Sequence, residues 1–216
     1  MADSAIPHAY AYLTQPEVRF LDAAADRLIP PDDLGPGGRD ARVSVYIDRQ
    51  LSGVWGVHGR NYRSGPWLEG TPQQGYQSRF TPQEIYRAGI RETNDYCSKQ
   101  YDKAFEHLSG EQQDEVLKAL EQDKVDLPSL SSKLFFEILW RNTEEGFFAD
   151  PMYGGNHDKV GWKLLGFPGV ASGAYSAHLD DPEIYRAEPV SILDIQQGEA
   201  QVDAQGFPKH TMIKKA

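Results

Sequence analysis

The residues best suited to chemistry sit in one stretch, Gly146-Phe-Phe-Ala-Asp-Pro-Met-Tyr-Gly-Gly-Asn-His-Asp-Lys-Val-Gly161. Asp150, Asn156, His157 and Asp158 fall within nine residues there. Two carboxylates and an imidazole are ligand types for a divalent metal, and Asp150, His157 and Asp158 would then make a metal-dependent hydrolase. The spacing argues otherwise. No second histidine stands three or four residues away, and no cysteine is near. Gly154-Gly155-Asn156 reads as a turn requiring positive φ, and Asp150-Pro151 as a turn start. A loop that builds a surface is the preferred reading.

Other chemistry is sparse. The chain has six histidines but no GxSxG elbow, and neither GxGxxG nor a P-loop occurs. Arg60 and Arg63 could hold a phosphate or an acid; such arginines are more often solvated or paired with a carboxylate. Trp55, Trp67 and Tyr76 could stack on sugar rings, which would suit a carbohydrate-binding module. Cys97 is the single cysteine, so no internal disulfide is possible. Ile90, Cys97, Tyr101 and Leu108 share a helical face, which predicts a buried thiol; the alternative is a bridge to another chain.

The elements that must position these residues are helical. Thr14, Pro16 and Glu17 form a helix start, and Val18, Leu21, Ala25 and Leu28 lie on one face. Pro30-Pro31 stops that helix. A second helix is expected over 40–52. Thr81 to Glu84 has capping-box spacing and predicts a helix running to about Leu108; Ser109 to Gln112 starts another. Pro128-Ser129 is expected to open a fifth, with Leu130, Leu134, Phe135, Ile138, Leu139 and Asn142 on one face and Phe136 and Trp140 on the other. No period-2 strand of useful length and no internal repeat is present. The expectation is an all-α fold of about five main helices, with irregular aromatic and Gly-rich loops near 53–80 and 146–170. Residues 1–170 form the helical domain. Residues 171–216, punctuated by proline, are expected to be an extended tail packed on a partner subunit.

The totals exclude several classes. The formal net charge of −10 gives no counterion-release advantage on DNA, so nucleic acid is not an expected partner. No run of 18 apolar residues exists, so no segment is expected to span a bilayer. The first residues lack a basic n-region and an apolar h-region, which suits a cytoplasmic chain or an exported one whose signal has been removed.

The segment Phe147–Gly169, FFADPMYGGNHDKVGWKLLGFPG, resembles the signature of the gluconate 2-dehydrogenase subunit 3 family. LTQPEVRFLDAAADRLIPPDD resembles that family's first helix, and PVSILDIQQG at 189–198 is similar to its end. The resemblance spans residues 13 to 198 and implies a small, or gamma, subunit without catalytic residues, cofactor or metal of its own. The implied partners are a large flavoprotein of the glucose–methanol–choline oxidoreductase type and a multihaem cytochrome c. FAD, haem c and, in related complexes, an iron–sulfur cluster would reside in those partners. Family members carry a twin-arginine signal and escort the folded flavoprotein. No Arg-Arg precedes Leu13, so a mature form lacking its signal is expected, placed in the periplasm and reaching the membrane only through the complex. The implied interface is Trp55, Trp67, Tyr76, Phe147, Phe148, Met152, Tyr153, Asn156, His157 and Trp162. With export to an oxidising compartment, Cys97 becomes a candidate for a disulfide to the large subunit.

Overall fold

The computed structural model describes residues 9–59, 64–68, 70–74, 77–171, 178, 180 and 185–213. Tyr76, Arg60 and Arg63 lie outside them. Local capping chemistry sets most helix starts. Glu17 accepts the Thr14 N–H at 2.8 Å and opens α1, Gln15–Leu28. Thr81 and Glu84 exchange the same bonds at the head of α3, Pro82–Tyr101. Ser109 and Gln112 do so for α4, Gly110–Glu121. Each reciprocal cap satisfies N–H groups that the first helical turn leaves without partners.

Three boundaries differ from expectation, each because tertiary contacts claim the residues involved. The second helix, α2, is Val43–Ser52 rather than 40–52. Gly38 donates its N–H to the Ile29 carbonyl at the end of α1 and accepts from Val43, which holds residues 38–42 in a turn. The third helix stops at Tyr101, where Asp102 takes a left-handed cap (φ 55°). The chain then doubles back, Asn94 Oδ1 accepts the Phe105 N–H at 2.9 Å, and Phe105 packs on Phe20 with ring centroids 4.7 Å apart. Phe105 and Leu108 are buried as expected, but from a 3₁₀ turn rather than a continued stripe. The fifth helix, α5, is Ser132–Phe148 rather than starting near 128, because Ser129 donates its N–H and hydroxyl to Glu92.

The core lies where α5 meets α1, α2, α3 and α4. Phe20, Tyr86, Phe105, Phe135 and Phe147 are sealed from solvent. Tyr86 meets Phe135 edge-on at 6.1 Å, a favoured aromatic geometry. Phe136 is half-buried and Trp140 is 37 % exposed, so the second apolar face of α5 is covered in part. Two short helices follow, α6 (Val160–Leu165) and α7 (Ile192–Gln197). Among the described residues, β structure is limited to isolated bridges, so the fold is all-α. No helix among them is long and apolar enough to cross a membrane.

Candidate partner interface

A buried polar network stiffens the platform from which the signature loop departs. Tyr86 donates its hydroxyl to Asn142 at 2.8 Å, Asn142 donates to Glu145 at 2.9 Å, and Tyr46 donates to the same carboxylate oxygen at 3.2 Å. Burial, with the Glu145 charge adding to it, pushes both phenols well above their ordinary pKa, so they stay neutral donors. The network ties α2 and α3 to the end of α5.

From there the loop is held by its own polar side chains. Asp150 Oδ1 accepts the Met152 N–H at 3.0 Å, starting a 3₁₀ turn over Pro151–Tyr153. Its Oδ2 accepts the Ile192 N–H at 2.8 Å, across 42 residues, at the head of α7. Asn156 is fully buried with φ 47°. Its amide donates to the Ala149 carbonyl at 2.8 Å, and its oxygen accepts the Gly161 N–H at 2.8 Å. His157 donates its backbone N–H to Ala41 at 3.1 Å, fastening the loop to the turn before α2. Lys159, with φ 58°, reaches Asp194 of α7 at 2.8 Å. A Cβ at Gly155 would strike the Gly146 carbonyl oxygen, so the backbones cross there only because the residue is glycine.

The candidate metal ligands are therefore drawn apart in role. Asp150 spends both oxygens on backbone donors and could not turn to His157 and Asp158 without releasing α7. His157 and Asp158 approach only to 3.7 Å, with side chains 36 % and 74 % exposed, where an ion pair contributes little. Among the described residues, no group of three or more His, Cys, Asp or Glu is placed to hold a metal.

The expected interface residues divide into two sets. Phe147, Asn156 and Trp162 point inward; Trp162 donates Nε1–H to the Phe148 carbonyl at 2.7 Å and meets Phe167 edge-on at 5.2 Å. They support the loop from beneath. Phe148, Tyr153 and Trp67 are exposed, while Trp55, Met152 and His157 are half-buried. The geometry adds residues that sequence reasoning passed over: Leu164, Leu165 and Phe167 are exposed beside Trp162 and Phe148. The signal was present in Lys163-Leu-Leu-Gly-Phe167, since a six-residue helix that seats Gly161 and Trp162 cannot also bury two consecutive leucines.

Cys97 is fully buried and unbridged. Burial pushes its thiol up to about 12, which favours the buried reading of this residue.

The C-terminal segment returns to this loop. Val170 donates its N–H to the Val190 carbonyl at 2.8 Å, Val190 donates to the Pro168 carbonyl at 3.0 Å, and His210 Nε2 meets the Val170 carbonyl at 2.8 Å. Ser191 and Asp194 cap α7 reciprocally. Ser191-x-x-Asp194 has the spacing of a reciprocal cap, a cue for this helix that sequence reasoning did not use. No residue of α7 is buried.

Fold and site together define an all-α protein organised around an internally satisfied loop that backs an exposed apolar band. The model of one family, described as gluconate 2-dehydrogenase subunit 3, matches residues 15–169, and the chain belongs to that family. Membership makes it a subunit of a multi-subunit dehydrogenase complex associated with membranes. The match ends at Gly169, so the likeness of 189–198 to the family's end lies outside it. No curated protein and no solved structure matches the chain.

Proposed function

We propose that this chain is the non-catalytic small subunit of a periplasmic FAD-dependent dehydrogenase of the gluconate 2-dehydrogenase type. Its role is to support folding, export and stability of the flavoprotein subunit. FAD is held by that large subunit, and haem c by a cytochrome subunit through which the complex reaches the membrane. The family match over 15–169 carries this reading. The loop geometry supports it, since Asp150 and Asn156 are consumed by backbone groups of the loop and of α7 and so build a surface. The apolar side chains left outside, Phe148, Tyr153, Leu165 and Phe167, are of the kind that interface cores use. On this reading Trp55, Trp67, Met152 and His157 extend the contact, and the tail from 171 onward lies between the subunits.

Co-expression with the large dehydrogenase subunit tests the proposal. A tag on this chain should recover a complex with flavin absorbance, and the large subunit made alone should be poorly soluble or flavin-depleted. A large subunit that folds, binds flavin and ignores this chain would remove the proposal.

A further inference from the structure

Two adjoining depressions flank the end of α6. One, of about 430 Å³, is lined by Lys163, Leu165, Arg186 and Ile213 among others. The second, of about 340 Å³, shares Lys163 and Ile213 and adds Phe167 and Glu188. Together they form a groove between two walls, one from α6 and its following turn, the other from the returning C-terminal segment. The first wall lies within the family match and the second beyond it. The apolar side chains stand open: Leu165 is 65 % exposed and Ile213 49 %.

The lining of the groove carries more cations than acids, although the chain as a whole is acidic. Arg27, Arg87, Arg91 and Lys159 each hold a carboxylate. Lys163 and Arg186, like Arg42, Arg141, Lys209 and several other cations, are in no ion pair among the described residues and so are open to a partner's carboxylate. Glu188 is the one carboxylate among the residues lining the pair of depressions, so cations there outnumber acids two to one. The lining therefore presents a net positive charge beside its apolar side chains, which complements a segment bearing a carboxylate.

We propose that this groove docks a segment of the partner subunit that sets a carboxylate beside an apolar anchor. The carboxylate meets Lys163 and Arg186, and the anchor lies against Leu165, Phe167 and Ile213. The inference rests on the reading of the chain as a subunit and names the surface that reading requires. Apolar contact supplies most of the affinity; the charges orient the encounter and reject basic segments. A concave two-walled groove suits a protein segment better than the flat face of a bilayer.

The test uses the full chain co-expressed with the large dehydrogenase subunit. Lys163→Glu combined with Arg186→Glu should lower recovered complex at low salt by about tenfold or more, while leaving the variant's own circular dichroism and melting unchanged. Leu165→Ser, at an exposed position, should weaken recovery at low and high salt alike, because apolar contact is not screened. Glu188→Gln should retain the complex. Wild-type complex recovered equally by the charge-reversed and Leu165→Ser variants would overturn the groove while leaving the subunit reading intact. No complex with the wild type would overturn both. If anionic phospholipid vesicles bind the wild type but not the charge-reversed variant, and complex recovery is unchanged, the groove serves a membrane surface and the proposal fails.

Discussion

Asn156 combines a left-handed backbone with two buried side-chain hydrogen bonds, and few residue types can supply both. Asparagine tolerates positive φ better than most residues because its short side chain bonds locally. Asn156→Ala keeps the strain and leaves the Ala149 carbonyl and the Gly161 N–H without their partner. Each unsatisfied buried group costs about 1–3 kcal/mol, so a loss of about 2–4 kcal/mol is expected. A urea midpoint lowered with unchanged slope would show it; a shift below about 0.5 kcal/mol would mean water replaces the amide. Cys97 makes the opposite kind of prediction. With its thiol sealed, it should resist disulfide-exchange reagents at neutral pH until the chain unfolds, and non-reducing electrophoresis of the complex should show separate subunits. A band at the summed mass, absent in Cys97→Ser, would show that the helix opens to the partner. The irregular stretch 149–159 could be read from sequence as a loop, although the expected irregular segment 146–170 also holds the last turn of α5 and all of α6. That Asp150 caps a helix 42 residues away could not, because such a contact leaves no trace in local spacing.

At the level of elements, α1 to α5 and the returning segment differ in what holds them. The five helices bury an aromatic and aliphatic core, whereas α7 buries nothing and is held by polar contacts. Chief among these is Lys159–Asp194, at 2.8 Å with side chains 22 % and 17 % exposed. Burial by itself would raise the Asp194 pKa, but the Lys159 ammonium with the Ser191 N–H and hydroxyl outweighs it, and the carboxyl is held below its ordinary value. A lowered folded pKa contributes stability that is present above the unfolded value, about 4, and is lost as pH falls through the folded one. Acidification in that range should therefore free α7 before the main helices. Hydrogen exchange, corrected for intrinsic rates, should rise over 186–197 first, and Lys159→Met should produce the same pattern at neutral pH with little change in global melting. Uniform protection across α5 and α7 would contradict this. Helix starts with reciprocal caps, at Thr14, Thr81 and Ser109, were legible because donor and acceptor lie three residues apart. The starts of α2 and α5 were not, because distant partners, the Ile29 carbonyl and Glu92, claim the residues just before them.

For the whole molecule, one group of exposed apolar side chains lies at the end bearing α6, among them Phe148, Leu164, Leu165, Phe167 and Ile213, while others such as Leu34, Leu68 and Phe207 line none of its depressions. Contiguous apolar surface on a soluble chain favours association, and a net charge of −10 opposes it through repulsion. Salt screens the second effect and not the first. The isolated chain should therefore self-associate more strongly as salt rises, and Leu165→Ser with Phe167→Ser should suppress this in sedimentation velocity. A monomer at all salt concentrations for the wild type would show that this apolar surface does not drive self-association.

Sequence alone determined the helical class, three of the main helix starts, the position of the signature loop and the family, because each is written in periodicity, capping spacing or a contiguous motif. It also placed Cys97 on an apolar stripe. Tertiary structure alone decided which residues of the signature face inward. Phe147 continues the buried stripe of α5 and Trp162 is held inward by its bond to the Phe148 carbonyl, while Phe148 and Phe167 stay exposed. It decided as well that the C-terminal segment returns to Pro168 and Val170 to make the second wall of a groove. Such pairings depend on where five packed helices leave their ends, and the linear order of residues carries that only through the packing itself.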